Sequence, residues 1–244
     1  MRAMILAAGL GTRLKPLTDN LPKALVRINN QTLLELLIKK LAASGFDKII
    51  INVHHFADQV TDYLSANKNF NVDITISDET GELLDTGGGL KKASWFFNDR
   101  KPFIVHNVDN ISSIDLDKLY RFHTQNKSAA TLAVRNRKSS RYFLFNNDFQ
   151  LCGWKNEQSG EVKHSKPDHS NLKQLAFSGI QVIDPNIFEL MPHRKVFSLV
   201  DVYLRVSSKK KVIGFLHDED EWIDVGKPEN LTKAETLLKK KKYT

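Results

Sequence analysis

The sequence predicts an α/β protein built on a doubly wound, mixed but mainly parallel sheet flanked by helices, and three observations carry that prediction. Short apolar runs alternate with amphipathic segments through the first half of the chain. The first of those runs ends in a glycine-rich loop. From residue 129 onward, strand-like segments with short connections replace the alternation. A parallel strand is covered on both faces and so reads as a continuous apolar run, and strands alternating with helices are how such a sheet is assembled.

The opening MRAMILAAG stops at Gly9 and reads as a strand buried on both faces. Beyond the loop, residues 32–44 set Leu33, Leu36, Leu37 and Leu41 at helical spacing, with Gly45 as the stop. DKIIINV is a second buried strand. A helix at 56–64, a strand at 72–77, a helix after Gly89 and the strand PFIVHN leading to Asp109 complete four strand–helix alternations. TLAVRN, YFLFN, FQLCGW and LAFSGIQVI are expected to add mixed or antiparallel strands to the same sheet. The polar stretch 156–173 reads as a loop. A last helix, from Pro228 to about Lys240, has proline in its first turn and lysines at its end, where they suit the negative pole of the helix dipole. No internal repeat appears, and one domain is expected over 1–244.

The chain has 244 residues, 41% hydrophobic and 26% charged, enough to bury a full core. No run approaches the roughly 18 apolar residues of a membrane span. The N-terminus lacks the long apolar stretch and cleavage site of a signal peptide, so a cytoplasmic protein without membrane contact is expected. The single cysteine, Cys152, excludes an internal disulfide framework, and QLCGW offers no base to activate a thiol, so its role reads as structural. Part of the +8 formal charge lies in LLKKKKYT and in the lysines at 209–211, which read as solvated ends and turns. A basic balance also raises the local concentration of anionic small molecules. No basic helix is interleaved with base-stacking aromatics, so nucleic acid is not an expected partner.

Gly9-Leu10-Gly11-Thr12-Arg13 follows the first strand directly, so backbone N–H groups freed by glycine can face an anion and Arg13 can add a fixed charge. The loop lacks G-x-x-x-x-G-K-[ST], and Leu14 occupies the third glycine of G-x-G-x-x-G, which excludes the Walker and dinucleotide forms. Pro16, Thr18, Pro22 and Lys23 continue it in a segment too proline-rich for a helix. Lys23 could reach back toward a phosphate as a point charge.

Three further constellations stand out. Asp85-Thr86-Gly87-Gly88-Gly89 has consecutive glycines that permit close approach to a flat ligand, or simply a flexible turn. His106-Asn107-Val108-Asp109 ends a buried strand, where α/β sheets place ligand groups; a carboxylate there also serves to cap a turn. Trp222-Ile223-Asp224-Val225-Gly226 lies near the C-terminus. His54 and His55 have no partner at metal-ligand spacing and read as surface or packing residues.

LAAGLGTRLKPLTDNLPKAL resembles the L-A-A-G-x-G-T-R-x-x-P-L-T segment with downstream P-K of the sugar-1-phosphate nucleotidyltransferases. The acidic-T-G-G-G form is typical of the small N-acetylmuramate-1-phosphate uridylyltransferases, with mannose-1-phosphate guanylyltransferases also close. The resemblance covers nearly the whole chain and implies a Rossmann-like nucleotidyltransferase fold. Residues 1–128 would then form a nucleotide-binding half, and 129–244 a sugar-binding half with the C-terminal helix.

On that resemblance Leu6, Ala8, Gly9, Gly11, Thr12, Arg13 and Lys23 hold the triphosphate, with Arg13 and Lys23 catalytic. Asp85, Thr86, Gly87 and Gly88 lie along base and ribose. Asp109 and Asp224 bind catalytic Mg2+, Asp224 within the family's W-x-D-[IV]-G, while Val108 departs from the usual glycine before the first of them. Asn107, Glu161, Lys166, Ser178 and Gly179 are sugar-side candidates. Ser178 and Gly179 belong to F-[ST]-G-I, and Lys166 stands where relatives carry E-K-P but with Ser165 in place of the glutamate.

The implied reaction takes a nucleoside triphosphate and a sugar 1-phosphate to a nucleotide sugar and pyrophosphate, with UTP and an N-acetylmuramate-type sugar favoured. Guanylyl transfer to mannose or heptose 1-phosphate and cytidylyl transfer to phosphocholine use the same loop. A non-catalytic nucleotide-binding regulatory subunit is the reading of another class, with Val108 as its supporting feature. A monomer or small homo-oligomer is expected. The hexapeptide-repeat domain of some relatives is missing, so a second acyltransferase activity is not expected.

Overall fold

A computed structural model of the chain describes residues 1–167 and 170–239. They divide into two compact units that interleave in sequence. Among them the first holds Met1–Leu84, His106–Leu116 and 221–239; the second holds Asp85–Val105 and the described part of Asp117–Asp220.

In the first unit the strands Arg2–Leu6, Lys48–Val53 and Asp73–Asp78 run parallel, with Ala3 opposite Ile49 and Ile49 opposite Ile74. Ala3, Met4, Ile5 and Ile49–Ile51 are fully buried, as the continuous apolar runs require. The helix Leu33–Ala43 joins the first two of these strands. Thr32 caps it by accepting the Glu35 N–H at 3.0 Å, and Gly45, at φ +80°, ends it. Its buried stripe adds Leu34 and Ile38 to the predicted Leu33, Leu37 and Leu41. Helix Ala57–Ala66 leads from the second strand to the third.

The strand predicted to run to Asp109 stops at Asn107, and a separate two-stranded ribbon pairs Asn110–Ser112 antiparallel with Trp222–Asp224. A 3₁₀ turn Pro228–Asn230 and the helix Leu231–Lys239 follow; the predicted helix end at Lys240 lies outside the described residues.

In the second unit Ala130–Arg135, Arg141–Phe145, Leu151–Asn156 and Lys173–Ile183 pair antiparallel, as their short connections imply, and Val212–Leu216 joins Ala130–Arg135 in parallel. Four elements differ from the sequence reading. The polar stretch 156–173 contains a strand, Val162–His164, paired with Leu151–Asn156; a Cβ at Gly153 would lie 2.6 Å from the Lys163 carbonyl, so glycine permits this approach. Helices Leu116–Asn126 and Leu199–Ser207 are additional. The helix expected after Gly89 begins at Asp85 and contains all three glycines.

Two buried histidines impose a pH dependence. Burial pushes His106 down to about 3 and His123 down to about 4 from the ordinary 6.5, and their Nδ1 atoms meet the Asn107 carbonyl at 2.8 Å and the Thr131 hydroxyl at 3.0 Å. Both rings are neutral in the fold, whereas the unfolded chain protonates them below pH 6.5. Stability is therefore complete above that pH and falls as pH drops toward the folded values, by about 1.4 kcal/mol per pH unit for each ring. In denaturant unfolding, His123→Asn is expected to reduce proton uptake on unfolding by about half a proton at pH 6.5, rising to nearly one at pH 5. An unchanged slope would mean that His123 is charged in the fold.

Candidate active site

The loop after the first strand is fixed by its own residues. Leu14 is fully buried and its N–H donates to the Gly11 carbonyl at 2.8 Å, closing a turn at Thr12–Leu14. Gly11 sits at φ +67°. A Cβ there would crowd Thr18 Cγ2 at 3.0 Å and Lys23 Cβ at 3.3 Å, so both the left-handed conformation and the close packing favour glycine. The Thr18 hydroxyl donates to the Gly11 carbonyl at 2.8 Å and ties the second limb of the loop to the first. Pro22 is extended, at φ −65° and ψ 143°, and delivers Lys23 into a 3₁₀ turn anchored by buried Ala24 and Leu25. Ala7 and Ala8 are buried, while Gly9, Leu10, Thr12 and Arg13 are open to solvent.

The two cations of this loop each meet one of the two motif carboxylates. Lys23 Nζ forms an ion pair with Asp109 Oδ2, with side-chain exposures of only 11% and 15%. Arg13 lies 3.5 Å from Asp224 Oδ2 on a more open face. The ribbon places Asp224 opposite Asn110, the residue after Asp109, and the Val225 N–H donates to the Asp109 carbonyl at 2.8 Å. Residues far apart in sequence thus become neighbours through main-chain pairing.

Gly226 completes this arrangement. Its N–H donates to Asp224 Oδ1 at 2.7 Å, and a Cβ would press on that oxygen and on the Arg13 guanidinium. Val108, at the position where the family's glycine stands, is buried, has an ordinary negative φ, and donates its N–H to the Leu6 carbonyl at 3.1 Å. The local backbone therefore needs no glycine.

The remaining candidates except Asn107 lie in the second unit. Asp85 is at φ +60°, and the Thr86 hydroxyl accepts the Leu199 N–H at 3.0 Å, at the start of helix Leu199–Ser207. The Gly87 and Gly88 N–H groups both donate to the Phe197 carbonyl, at 2.9 and 3.2 Å. A Cβ at Gly87 would fall 2.5 Å from the Phe197 ring. The glycines thus make a helix that docks closely on residue 197, rather than a flexible turn. Gly87→Ala is expected to cost about 1–3 kcal/mol of stability by overpacking, read from the denaturant midpoint; an unchanged midpoint would contradict this packing role.

Ser178 and Gly179 form an irregularity where the pairing of Lys173–Ile183 with Ala130–Arg135 shifts register, with Gly179 at φ +72°. Ser178 is fully buried and its hydroxyl meets His217 Nε2 at 2.7 Å. Lys166 donates to Gln150 Oε1 at 2.8 Å. Glu161 is exposed, 3.5 Å from Lys163. Asn107, in the first unit, is half-buried and accepts from His106 through its carbonyl. Cys152 is buried, as a structural cysteine would be.

Two contributors to the first unit's site were not read from the sequence. Asn230 Nδ2 donates to the Asp224 carbonyl at 2.7 Å. Lys40 reaches from the helix Leu33–Ala43 to the Ser112 carbonyl on the ribbon. The signal for Lys40 was present: it falls three and four residues after Leu37 and Leu36, on the stripe expected to be apolar.

Among the described residues no helix is long and apolar enough to cross a membrane, and no cluster of three or more His, Cys, Asp or Glu forms a metal cage. The family model described as nucleotidyl transferase matches residues 2–241. An N-acetylmuramate alpha-1-phosphate uridylyltransferase from Caulobacter vibrioides is 31% identical, over 97% of this chain and 96% of that protein. A mannose-1-phosphate guanyltransferase from Yarrowia lipolytica is 29% identical over 97% of this chain and 64% of its own length. The crystal structure of HddC from Yersinia pseudotuberculosis superposes with a TM-score of 0.77 at 26% identity, over 97% of this chain and 99% of that one.

Proposed function

The chain belongs to the nucleotidyl transferase family, and on that premise we propose that it transfers a nucleoside monophosphate from a nucleoside triphosphate to a sugar 1-phosphate, with UTP and an N-acetylmuramate-type sugar as the preferred pair. The observation that carries this reading is the matching of the loop's two cations, Lys23 and Arg13, to the two motif carboxylates, Asp109 and Asp224. A phosphate loop whose cations already face the metal-type carboxylates is organised for charge neutralisation before substrate arrives.

In the reaction a phosphate oxygen of the sugar 1-phosphate attacks the α-phosphorus of the triphosphate in line. The new P–O bond forms as the bond to the β-phosphate breaks, and pyrophosphate leaves with the electron pair. A phosphate monoester is largely dianionic at neutral pH, so the nucleophile needs no protein base. Catalysis is then positioning and electrostatics. Lys23 stabilises charge around the α-phosphate, Arg13 holds the departing pyrophosphate, and the loop N–H groups orient the triphosphate.

The residues fit magnesium. Asp109, the residue before the ribbon, and Asp224, opposite Asn110 in it, offer hard oxygen donors, and a pair of carboxylates without a full protein cage suits a cation that keeps water and phosphate oxygens in its shell. Bound there, magnesium would supply charge neutralisation to the phosphates.

The preference for the uridylyl reading rests on the similarity to the Caulobacter uridylyltransferase over 96% of its length and on the DTGGG segment. Incubating the protein with magnesium, equal UTP, GTP and CTP, and a mixture of N-acetylmuramate, mannose and heptose 1-phosphates tests it. A UDP-sugar is the expected main product by mass spectrometry, and its formation should stop on chelation of the metal. A GDP-sugar as main product would instead establish the guanylyl alternative.

A further inference from the structure

Asn52 and Glu79 are buried polar residues that no motif contains. Asn52 interrupts the buried apolar run of strand Lys48–Val53, next to its last residue, and lies opposite Leu6 in the sheet register. Its Oδ1 accepts the Ala7 N–H at 2.8 Å, and its Nδ2 donates to Glu79 Oε1 at 2.7 Å. The second carboxylate oxygen of Glu79 accepts the Leu84 N–H at 3.3 Å, and its main chain is held by the Val53 carbonyl at 2.8 Å and by His54 Nδ1 at 2.7 Å. Asn52 is 2% and Glu79 1% exposed.

Burying a carboxylate is costly unless hydrogen bonds offset the lost hydration, so an apolar pair would serve a plain core better. What this pair adds is direction. An amide at residue 52 can present either oxygen or N–H₂ to Ala7, and the acceptor-only carboxylate of Glu79 forces the N–H₂ toward itself and the oxygen toward the Ala7 N–H. Ala7 begins the turn from the first strand into the Gly9–Arg13 loop.

We propose that Glu79 is a positioning residue which, through the oriented amide of Asn52, sets the Ala7 backbone and hence the registration of the loop on the nucleoside triphosphate. The inference rests on the reading of that loop as the triphosphate site. In Glu79→Gln, one donor must face another: either the new N–H₂ faces the Leu84 N–H, or Asn52 flips and its N–H₂ faces Ala7. Adding Asn52→Asp restores the bonds to Ala7, between residues 52 and 79, and to Leu84, with the charge conserved. The carboxylate now at position 52 accepts from Ala7 and from the amide now at position 79, and the oxygen of that amide accepts from Leu84.

The test measures binding of non-hydrolysable UTP and GTP analogues by calorimetry, KM for triphosphate and for sugar 1-phosphate, and hydrogen exchange at the Ala7 amide. Glu79→Gln is expected to weaken triphosphate affinity about tenfold, the equivalent of one well-placed hydrogen bond, with faster exchange at Ala7 and an unchanged KM for sugar 1-phosphate. The double variant Asn52→Asp/Glu79→Gln is expected to return to wild-type affinity and exchange.

Wild-type affinity in Glu79→Gln overturns the proposal, as does a double variant that stays weak or does not fold. If Glu79→Gln alone does not fold, the double variant decides by the same criterion. A wild-type protein that binds neither analogue overturns the triphosphate reading itself, an outcome distinct from failure of the relay.

Discussion

Asp109→Asn is expected to lower turnover by about two orders of magnitude or more, the loss that accompanies removal of one preorganised electrostatic group. The substitution keeps the shape of the side chain and removes only its charge. Lys23 then faces a neutral amide in a pocket where its own side chain is 11% exposed, and only Asp224 remains of the two carboxylates proposed to hold the metal. The Val225 N–H to Asp109 carbonyl bond involves the main chain and survives, so the fold should persist. Steady-state turnover at saturating substrates, with thermal unfolding as the control, checks this; near-normal turnover would contradict the role given to Asp109.

Lys23→Ala is expected to cost a similar factor, roughly 3 kcal/mol of transition-state stabilisation, and in addition to lower stability. Removing the ammonium leaves a largely buried carboxylate at Asp109 without its cation, the less favourable way to break such a pair. Lys23→Arg should restore little turnover, because a planar guanidinium cannot occupy the compact position of an ammonium behind Pro22. The two single variants and Lys23→Ala/Asp109→Asn form a cycle. Because Lys23 and Asp109 are in contact, their effects on stability should not add: the double variant is expected to be more stable than Lys23→Ala alone.

The first half of the fold was legible because its signals are local. The short apolar runs in MRAMIL and KIIINV read as strands covered on both faces, and Thr32 with its leucine spacing marks a helix start. The DTGGG segment misled because glycine is a poor helix former. Docking against Phe197, which leaves no room for a Cβ at Gly87, overrides that propensity. Helix Leu199–Ser207 was hidden by its composition, LVDVYLRVS, whose three β-branched valines weaken the helical signal although Ser198 caps it. In helix Leu116–Asn126 the buried polar His123 falls on the apolar stripe and breaks its pattern.

The site was legible by motif but not by geometry. Arg13, Lys23, Asp109 and Asp224 could each be picked out, yet nothing local says that Lys23 pairs with Asp109 and Arg13 with Asp224, since that follows from the register of Asn110–Ser112 on Trp222–Asp224. The amide of Asn52 and the carboxylate of Glu79 belong to no motif and show their purpose only through the hydrogen bonds that end at Ala7.

Pyrophosphate release, followed for the wild-type protein over a grid of nucleoside triphosphates and sugar 1-phosphates with magnesium present, tests the transfer chemistry most directly. Release that requires both substrates, peaks at one pair and falls about a hundredfold or more in Asp109→Asn is the expected result. A folded protein that binds triphosphate but releases pyrophosphate with no pair would contradict it and leave the chain a non-catalytic nucleotide-binding subunit.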